Sequence, residues 1–451
     1  MRSHEPLRRK VDNLYRERTG GSHTLWEESS GVLPMGVSGA AKFYEPYPVA
    51  LASGQGGRVT DVDGNEYIDF LMGAGSSLLG HCHPAVVAAV RDQAGRLATV
   101  LAPTPLEARY AERLRDLMPY LERVRFANTG SEAVRTALRV ARAVTGKTRY
   151  AKFEGNFHGS DDYFLVSGGS RRVAGDPDRP MPVFDSAGVP DRIAEEVLVL
   201  PYNDAENAVS LISDNASELA AVVMEPVAFS TGGAVAADRD FARAVRRITA
   251  RHDIVLIFDE VVTCLRLGTG GAPGYLGVTP DLSCLGKAIG GGLPLSAVGG
   301  RADIMEEVLG PESIARGTRI FHSGTFTGNP LSLAAGMAVL DVLEAEPVLA
   351  HLDRLGGQLL AILQEVLDSH RMGQMAGFGS IFQLHFTDAP PRNRRDVLAG
   401  DHDLLAAVLL GLCAHGILWP PVHPGVVAYG HTEADIELLA VALDTVVGMV
   451  S

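Results

Sequence analysis

The sequence has few of the features that mark secreted, membrane-spanning or nucleic-acid-binding proteins. Its 451 residues include four cysteines without the spacing of a metal site, so we expect a reduced, cytoplasmic setting. No apolar run is long enough to span a bilayer, and no apolar segment follows the charged N-terminus as it would in a secretory signal. The 40 basic and 54 acidic residues give a net charge of -14, which disfavours nucleic acid or an anionic membrane as a partner.

The sequence also lacks a complete nucleotide-binding or metal-binding motif. The triplet Gly146-Lys147-Thr148 matches only the end of a P-loop, since Ala141 stands where the motif needs glycine. The triplet therefore predicts the end of a helix and a turn. His81 and His83 flank a cysteine but have no partner cluster, so we interpret them as structural residues and expect no metal.

Short apolar runs alternate with helical segments from about residue 84 onward. The predicted strands are 124–127, 150–153, 219–224, 254–258 and 282–285, and the predicted helices are 85–94, 107–117, 132–145 and 241–252. Because the strands are apolar on both faces, this alternation predicts an α/β fold with a mainly parallel sheet covered by helices. Residues 168–190 predict a long surface loop, and loops of that length are often lids.

The same pattern divides the chain into three stretches. Residues 1–83, with a helix over 7–18 and a hairpin over 59–70, form an N-terminal segment that belongs to a small domain. Residues 84–330 form a large domain. Residues 331–451 begin with a long helix and form the C-terminal part of the smaller α/β domain.

Polar residues follow the predicted strands at their carboxyl ends, where ligands bind in parallel sheets. Gly130 and Ser131 join a strand to a helix and suit a phosphate, although taken alone they are better explained by an ordinary helix cap. Phe157 follows another strand and is either a core residue or an aromatic that stacks on a flat cofactor.

Asp259 and Lys287 place charges at the ends of neighbouring apolar runs. Such charges are costly unless they pair with something or take part in chemistry. Taken alone, Asp259 fits a satisfied strand-end carboxylate and Lys287 fits a loop lysine. In chain order, however, a phosphate cradle, an aromatic residue, an acid and a lysine are the groups that hold pyridoxal phosphate.

The chain resembles the class III, fold type I, pyridoxal-phosphate aminotransferases, and within them the glutamate-1-semialdehyde aminomutase-like branch. The resemblance runs from about Gly36 to the C-terminus. The segments that carry it are 61–69, 79–84, 125–133, 152–159, 258–262, 280–294, 324–330 and 431–435. It implies a pyridoxal-phosphate enzyme with a mainly parallel large domain, a smaller α/β domain from the chain ends, and a homodimer with shared active sites.

The resemblance also implies a role for each matching residue. Lys287 would hold the cofactor as a Schiff base and move a proton between substrate and cofactor, and Asp259 would pair with the pyridine nitrogen. The other implied cofactor contacts are Gly130 and Ser131 at the phosphate, Thr325 at the phosphate of the neighbouring subunit, Val261 and Phe157 at the ring faces, His158 beside Phe157, and Glu225 near the ring hydroxyl.

Other positions depart from the aminomutase branch. Lys42 replaces an arginine that grips the substrate carboxylate, Ala74 replaces a tryptophan, and the loop that carries Arg171 is longer and rewritten. We expect these three residues to contact substrate. The departures favour an aminotransferase that moves an amino group between an amino acid or amine donor and a carbonyl acceptor, with a bulky, β-amino or secondary-metabolite substrate. The alternatives are an intramolecular aminomutase of the glutamate-1-semialdehyde type, an amino-acid epimerase, and a non-catalytic cofactor-binding protein.

Overall fold

Helices and strands alternate along the chain in the computed structural model, which describes residues 4–169 and 172–450. The helices are α1 (Glu5–Arg18), α2 (Gly20–Ser30), α3 (Met72–Gly75), α4 (Pro84–Ala94), α5 (Pro105–Leu117), α6 (Gly130–Thr145), α7 (Ile193–Glu196), α8 (Ala205–Asp214), α9 (Arg239–Arg251), α10 (Gly271–Leu276), α11 (Ala302–Leu309), α12 (Ser313–Arg316), α13 (Pro330–Ala345), α14 (Val348–Ser369), α15 (Arg394–Leu398), α16 (His402–Ala414) and α17 (Glu433–Val447). Short 3-10 helices cover Pro34–Gly36, Ala40–Lys42 and Lys287–Gly290.

The strands belong to several sheets. They are β1 (Leu51–Gln55), β2 (Arg58–Asp61), β3 (Glu66–Asp69), β4 (Arg123–Ala127), β5 (Arg149–Phe153), β6 (Ala174–Asp176), β7 (Arg179–Met181), β8 (Val197–Leu200), β9 (Leu219–Met224), β10 (Val227–Ala228), β11 (Val235–Ala236), β12 (Val255–Glu260), β13 (Leu282–Leu285), β14 (Ser296–Gly300), β15 (Gln374–Phe378), β16 (Ile381–His385), β17 (Ile417–Leu418) and β18 (Gly425–Val426). The chain divides into two units. The sheet unit comprises residues 84–350 and 392–395, and the terminal unit comprises residues 1–83, 351–391 and 396–451.

A seven-stranded sheet in the order β4-β14-β13-β12-β9-β5-β8 forms the centre of the sheet unit. Strands β13, β12, β9, β5 and β8 pair in parallel, whereas β14 runs antiparallel to both β13 and β4. Every residue of β9 and β12 is buried, as expected for a sheet covered on both faces. The α/β fold with a mainly parallel sheet that the sequence predicts is confirmed.

Helix α6 shows how the sheet is covered. Its buried residues recur at spacings of three and four, which places them on one face of the helix. They are Ala133, Val134, Thr136, Ala137, Leu138, Val140 and Ala141. This face joins one apolar core with Val223, Ile257 and Leu282 of the sheet. The first turn of α6 is thereby held against the sheet edge where the strands end.

The terminal unit contains two smaller sheets. One has the order β1-β2-β3-β17, and its antiparallel pair β2–β3 is the hairpin predicted over 59–70. The other has the order β15-β16-β18. Helix α1 buries Leu7, Val11 and Tyr15, and it packs against α16.

Three features differ from the sequence predictions. The segment 168–190, expected to be a loop, contains the antiparallel hairpin β6–β7. A second helix, α2, begins directly after the predicted end of the N-terminal helix. Strands β8 and β14 were missing from the prediction, and β14 (Ser-Ala-Val-Gly-Gly) has too few bulky apolar residues to give a strand pattern. Within the described ranges, no helix combines the length and apolar character that crossing a membrane requires.

Candidate active site

The carboxyl ends of β5, β9, β12 and β13 bring the predicted residues of the sheet unit to one edge. Asp259 lies within β12 and is the register partner of Cys284, three residues before Lys287. Strand β9 ends at Met224, directly before Glu225. Strand β5 ends at Phe153, and the turn with Phe157 follows. Because these four strands are parallel neighbours, the residues that follow them meet at the same edge.

The first turn of α6 forms one side of this edge. A Cβ atom at Gly130 would lie 2.8 Å from Cγ1 of Val261, so only glycine allows this approach. Gly159 has φ +96°, and a Cβ atom there would overlap Ser131. The Ser131 hydroxyl accepts a hydrogen bond from the Ser160 amide at 3.0 Å. The helix N-terminus, whose amides can bind an anion, therefore lies close to both Val261 and the turn after β5.

Two groups hold the carboxylate of Asp259. Its Oδ2 lies 2.8 Å from Nδ1 of His158, and its Oδ1 accepts a hydrogen bond from the Val261 amide at 3.1 Å. Burial lowers the pKa of His158 in spite of the neighbouring Asp259. Burial thus favours the neutral imidazole, and Nδ1–H donates to the carboxylate, which can only accept. Nε2 of His158 is buried without a hydrogen-bond partner among the described residues.

Glu225 fixes the turn that carries Phe157. The Phe157 amide donates to Oε2 of Glu225 at 2.7 Å, and the Glu225 amide donates to Oδ1 of Asn156 at 2.8 Å. The backbone of Phe157 is fixed by these hydrogen bonds. Its side chain is 37% exposed, so one face of the ring remains accessible. Burial, followed by the charge of Asp259, raises the pKa of Glu225 well above its usual value.

Lys287 follows β13 in a left-handed backbone conformation, with φ +49°. A residue other than glycine pays about 1–2 kcal/mol for this conformation. The preceding Gly286 packs on Val261, since a Cβ atom there would lie 3.0 Å from Cγ1 of the valine. Burial, reinforced by the charge of Arg266, lowers the pKa of Lys287 to about 8. This shift increases the neutral fraction of the amine, which is the form that nucleophilic attack and proton removal require.

The remaining predicted residues lie in other segments. Thr325 is exposed, in a turn that passes beside Asn128. Lys42 is also exposed, and its Nζ donates to Oγ of Ser38 at 2.9 Å. Ala74 lies in α3, and both Lys42 and Ala74 belong to the terminal unit. Arg171 lies outside the described residues.

Two buried cations received no role in the sequence analysis. Lys152 lies in β5 with no exposed surface, and Arg266 is buried in the turn after β12. A sequence signal for Lys152 does exist, because a lysine inside the apolar run 150–153 is unusual for a strand buried on both faces. Arg266 lies outside any apolar run, and its burial depends on contacts that the sequence pattern does not reveal.

The segments interpreted as structural have defined positions in the fold. Gly146 caps α6 in the left-handed conformation, with φ +69°. Nε2 of His81 lies 2.7 Å from Oδ2 of Asp69. Groups of three or more potential metal ligands do not occur in the part of the chain that the structure describes.

Comparison with known proteins identifies the family. The family model "Aminotransferase class-III" matches residues 40–430. The chain belongs to the class III aminotransferases. A glutamate-1-semialdehyde 2,1-aminomutase from Methanosarcina acetivorans is 37% identical over 420 residues, which cover 92% of this chain and 96% of the relative.

Solved structures of a transaminase and of an aminomutase have the same fold. An omega-transaminase from Sphaerobacter thermophilus matches with a TM-score of 0.89 and 35% identity, covering 97% of this chain and 99% of that chain. A glutamate-1-semialdehyde aminomutase from Pseudomonas aeruginosa PAO1, in complex with PMP, matches with a TM-score of 0.88 and 28% identity, covering 99% of this chain and 98% of that chain. The class III aminotransferase is thus a fold type I enzyme.

The cofactor of this class III enzyme is pyridoxal phosphate. The described residues fit it. Nδ2 of Asn156 and Nε2 of His158 are buried without hydrogen-bond partners among the described residues. The first turn of α6, whose amides can bind an anion, lies against Gly159 of the turn that contains both residues. A carboxylate, an amine with a lowered pKa and a half-open aromatic ring complete the set of groups that this cofactor needs.

These relatives correct the expected reaction. The expectation of an aminotransferase with a bulky, β-amino or secondary-metabolite substrate is wrong. Relatives that are 36–39% identical over most of the chain are named glutamate-1-semialdehyde 2,1-aminomutase, which was the stated alternative. The expectation gave too much weight to single replacements. Lys42, for example, keeps the positive charge that pairs with a carboxylate, so its difference from arginine does not require a different substrate.

Proposed function

We propose that the chain catalyses an intramolecular amino exchange of the glutamate-1-semialdehyde 2,1-aminomutase type. The observation that carries this proposal is the 37% identity, over 92% of this chain, with an enzyme of that name. Such a reaction needs no second substrate, since one molecule supplies both the amino group and the carbonyl that exchanges with it.

Within this reaction we assign the covalent and proton-transfer roles to Lys287. Bound pyridoxal phosphate supplies a ring that accepts electrons from the substrate carbon. Nζ of Lys287 would bond to the cofactor and, after displacement by the substrate amine, take and return a proton at the substrate carbon. The lowered pKa of Lys287 supports this role because the base must be neutral. Asp259, which accepts a hydrogen bond from His158, would keep the ring nitrogen protonated.

The other residues at the strand ends would orient the cofactor. Gly130 and Ser131 would bind its phosphate with backbone amides and a hydroxyl, which suits the N-terminus of a helix. Val261 and Phe157 would lie against the two ring faces. Glu225 would contact the ring hydroxyl, at the position where the Phe157 amide holds its carboxyl group.

We assign the substrate contacts to Lys42, Ala74 and Arg171. Lys42 would pair with the substrate carboxylate, and its Nζ can leave the exposed Ser38 hydroxyl at little cost. Ala74 would line the pocket where the aminomutase branch has a larger residue.

We also propose that the enzyme is a cytoplasmic homodimer in which Thr325 of the partner subunit contacts the phosphate. Large apolar side chains are exposed around the Thr325 turn and nearby, with Phe321 78%, Phe326 57% and Leu101 87% exposed, which favours an apolar interface. All four cysteines are free thiols, which fits a reducing compartment.

The test is a turnover assay on the purified enzyme loaded with pyridoxal phosphate. We expect glutamate-1-semialdehyde to be converted to 5-aminolevulinate without any added amino donor or acceptor, and we expect Lys287→Ala to abolish the conversion. If no aminolevulinate forms, but an added keto acid acquires an amino group from the semialdehyde, the proposal is wrong. Formation of the mirror-image semialdehyde, with nitrogen on its original carbon, would indicate an epimerase.

A further inference from the structure

Lys152 places a charge inside the sheet, and none of the roles assigned above uses it. The residue lies in β5, and its exposed fraction is 0%. Burial lowers the pKa of its amine to about 8, although Asp185 and Glu225 oppose the shift. A buried ammonium is costly unless its hydrogens reach acceptors, so its partners indicate what the residue does.

The ammonium of Lys152 joins two segments of the chain. Nζ donates to the carbonyl oxygen of Asn156 at 2.8 Å and also to the carbonyl oxygen of Val166. Asn156 begins the turn with Phe157 and His158. Val166 forms an isolated bridge with Phe184 and lies two residues before Gly168.

Gly168 and Asp185 complete the junction around this ammonium. A Cβ atom at Gly168 would lie 2.9 Å from the Asn156 carbonyl oxygen and 3.3 Å from Nζ of Lys152. The Gly168 amide donates to Oδ2 of Asp185 at 2.8 Å. The segment that contains Gly168 and the segment that contains Asp185 are also linked directly, since the Ser167 amide donates to the Val183 carbonyl at 2.7 Å.

Hydrogen bonds continue from this junction to the predicted cofactor residues. Oδ1 of Asn156 accepts from the Glu225 amide, and Oε2 of Glu225 accepts from the Phe157 amide. We propose that Lys152 is a positioning residue of the pyridoxal phosphate site, which holds the Asn156 turn and thereby the ring of Phe157 and the imidazole of His158. The proposal depends on the cofactor of the family and not on which amino compound reacts.

Lys152→Met is the direct test, because it keeps most of the side-chain volume and removes the donors. Lys147→Met is the matched control. Nζ of Lys147 also donates to a carbonyl oxygen, that of Ala216 at 2.8 Å, but Lys147 lies before β5, at the end of the strand opposite to the Asn156 turn. In Lys152→Met apoenzyme we expect hydrogen exchange over residues 155–167 to quicken about tenfold, and exchange over 219–224 to stay unchanged. We also expect a weaker visible circular dichroism per bound pyridoxal phosphate.

Gly168→Ala tests the same junction without removing a charge, in case Lys152→Met does not fold. Its Cβ would crowd the Asn156 carbonyl and Nζ of Lys152, whereas a Cβ at Gly169 would meet its nearest atom only at 3.7 Å. We expect Gly168→Ala to give the exchange and dichroism changes described above, and Gly169→Ala to match the unmodified protein. Unchanged exchange and dichroism in the folded Lys152→Met, or in Gly168→Ala if the former does not fold, would overturn the proposal. Neither readout measures the reaction, so both remain informative if the aminomutase assay fails.

Discussion

Nδ1 of His158 lies 2.8 Å from Oδ2 of Asp259, and both side chains are buried. The two residues come from different strand ends, 101 positions apart in the sequence. Burial favours the neutral form of the imidazole. A neutral imidazole can donate a hydrogen bond to the carboxylate without neutralising the negative charge that would pair with a protonated pyridine nitrogen. His158 therefore orients the carboxylate while leaving its charge available.

Replacement of His158 should weaken cofactor binding. His158→Leu leaves Oδ2 of Asp259 without its donor, at a cost of about 1–3 kcal/mol. We expect pyridoxal phosphate affinity, measured by equilibrium dialysis, to fall about tenfold, since 1.4 kcal/mol corresponds to that factor. His158→Asn keeps a side-chain N–H near the same place and should retain most of the affinity. Equal losses in the two variants would contradict a hydrogen-bonding role.

The pKa of Lys287 should govern cofactor attachment. The neutral amine attacks the aldehyde, so the rate of attachment to apoenzyme should rise with pH and level off above about 8. Arg266→Met removes a charge that lowers this pKa, and we expect the midpoint to move to higher pH. Arg266→Lys, which keeps a positive charge, should leave the midpoint closer to that of the unmodified enzyme. Stopped-flow absorbance across pH 6–10 (about two units either side of the amine pKa) measures the rate of attachment. Identical pH profiles for the unmodified enzyme and Arg266→Met would refute the role of Arg266 in setting this pKa.

Gly159→Ala should destabilise the protein by more than backbone strain alone. At Gly64, with φ +85°, no atom lies within 4 Å of an added Cβ, so Gly64→Ala measures only the left-handed conformation, about 1–2 kcal/mol. Gly159 has a similar φ, but its Cβ would also overlap Ser131, adding about 1–3 kcal/mol. Urea unfolding of both variants measures the difference, and equal losses would show that the crowding at Ser131 is relieved.

Ala74→Gly should stabilise the protein. Ala74 has φ +54°, and its neighbours Gly73 and Gly75 are also left-handed. Glycine relieves the strain of this conformation, and after its greater freedom in the unfolded chain is subtracted we expect a gain of about 0.5–1 kcal/mol. Ala361→Gly, on the exposed face of α14, is the control and should cost about 1 kcal/mol. A loss of stability at both positions, measured by urea unfolding, would contradict the expected gain.

The sequence predicts local patterns better than it predicts junctions. Strand β9 was predicted at its observed bounds because a run of six apolar residues is short for a helix and typical of a strand buried on both faces. The order of groups from Gly130 to Lys287 likewise indicated the cofactor. The junction at Lys152 could not be predicted, since its acceptors belong to turns whose approach depends on backbone geometry. The expected reaction failed for a related reason, because residues such as Lys42 were interpreted from side-chain type alone.

The antiparallel strand β14 supports the phosphate end of the site from a late position in the sequence. Strand β4, which leads into the first turn of α6, is an edge strand of the seven-stranded sheet. It pairs with β14, from Ala127 opposite Ser296 to Arg123 opposite Gly300. The hydroxyl of Ser296 also donates to the carbonyl of Thr129 at 2.7 Å. A nascent chain that has reached only Lys287 therefore contains every residue assigned to the ring and phosphate within one subunit, yet it lacks the strand that anchors the phosphate end. We expect a chain truncated before residues 296–300 to leave pyridoxal phosphate unbound, because β4 would then lack its partner strand.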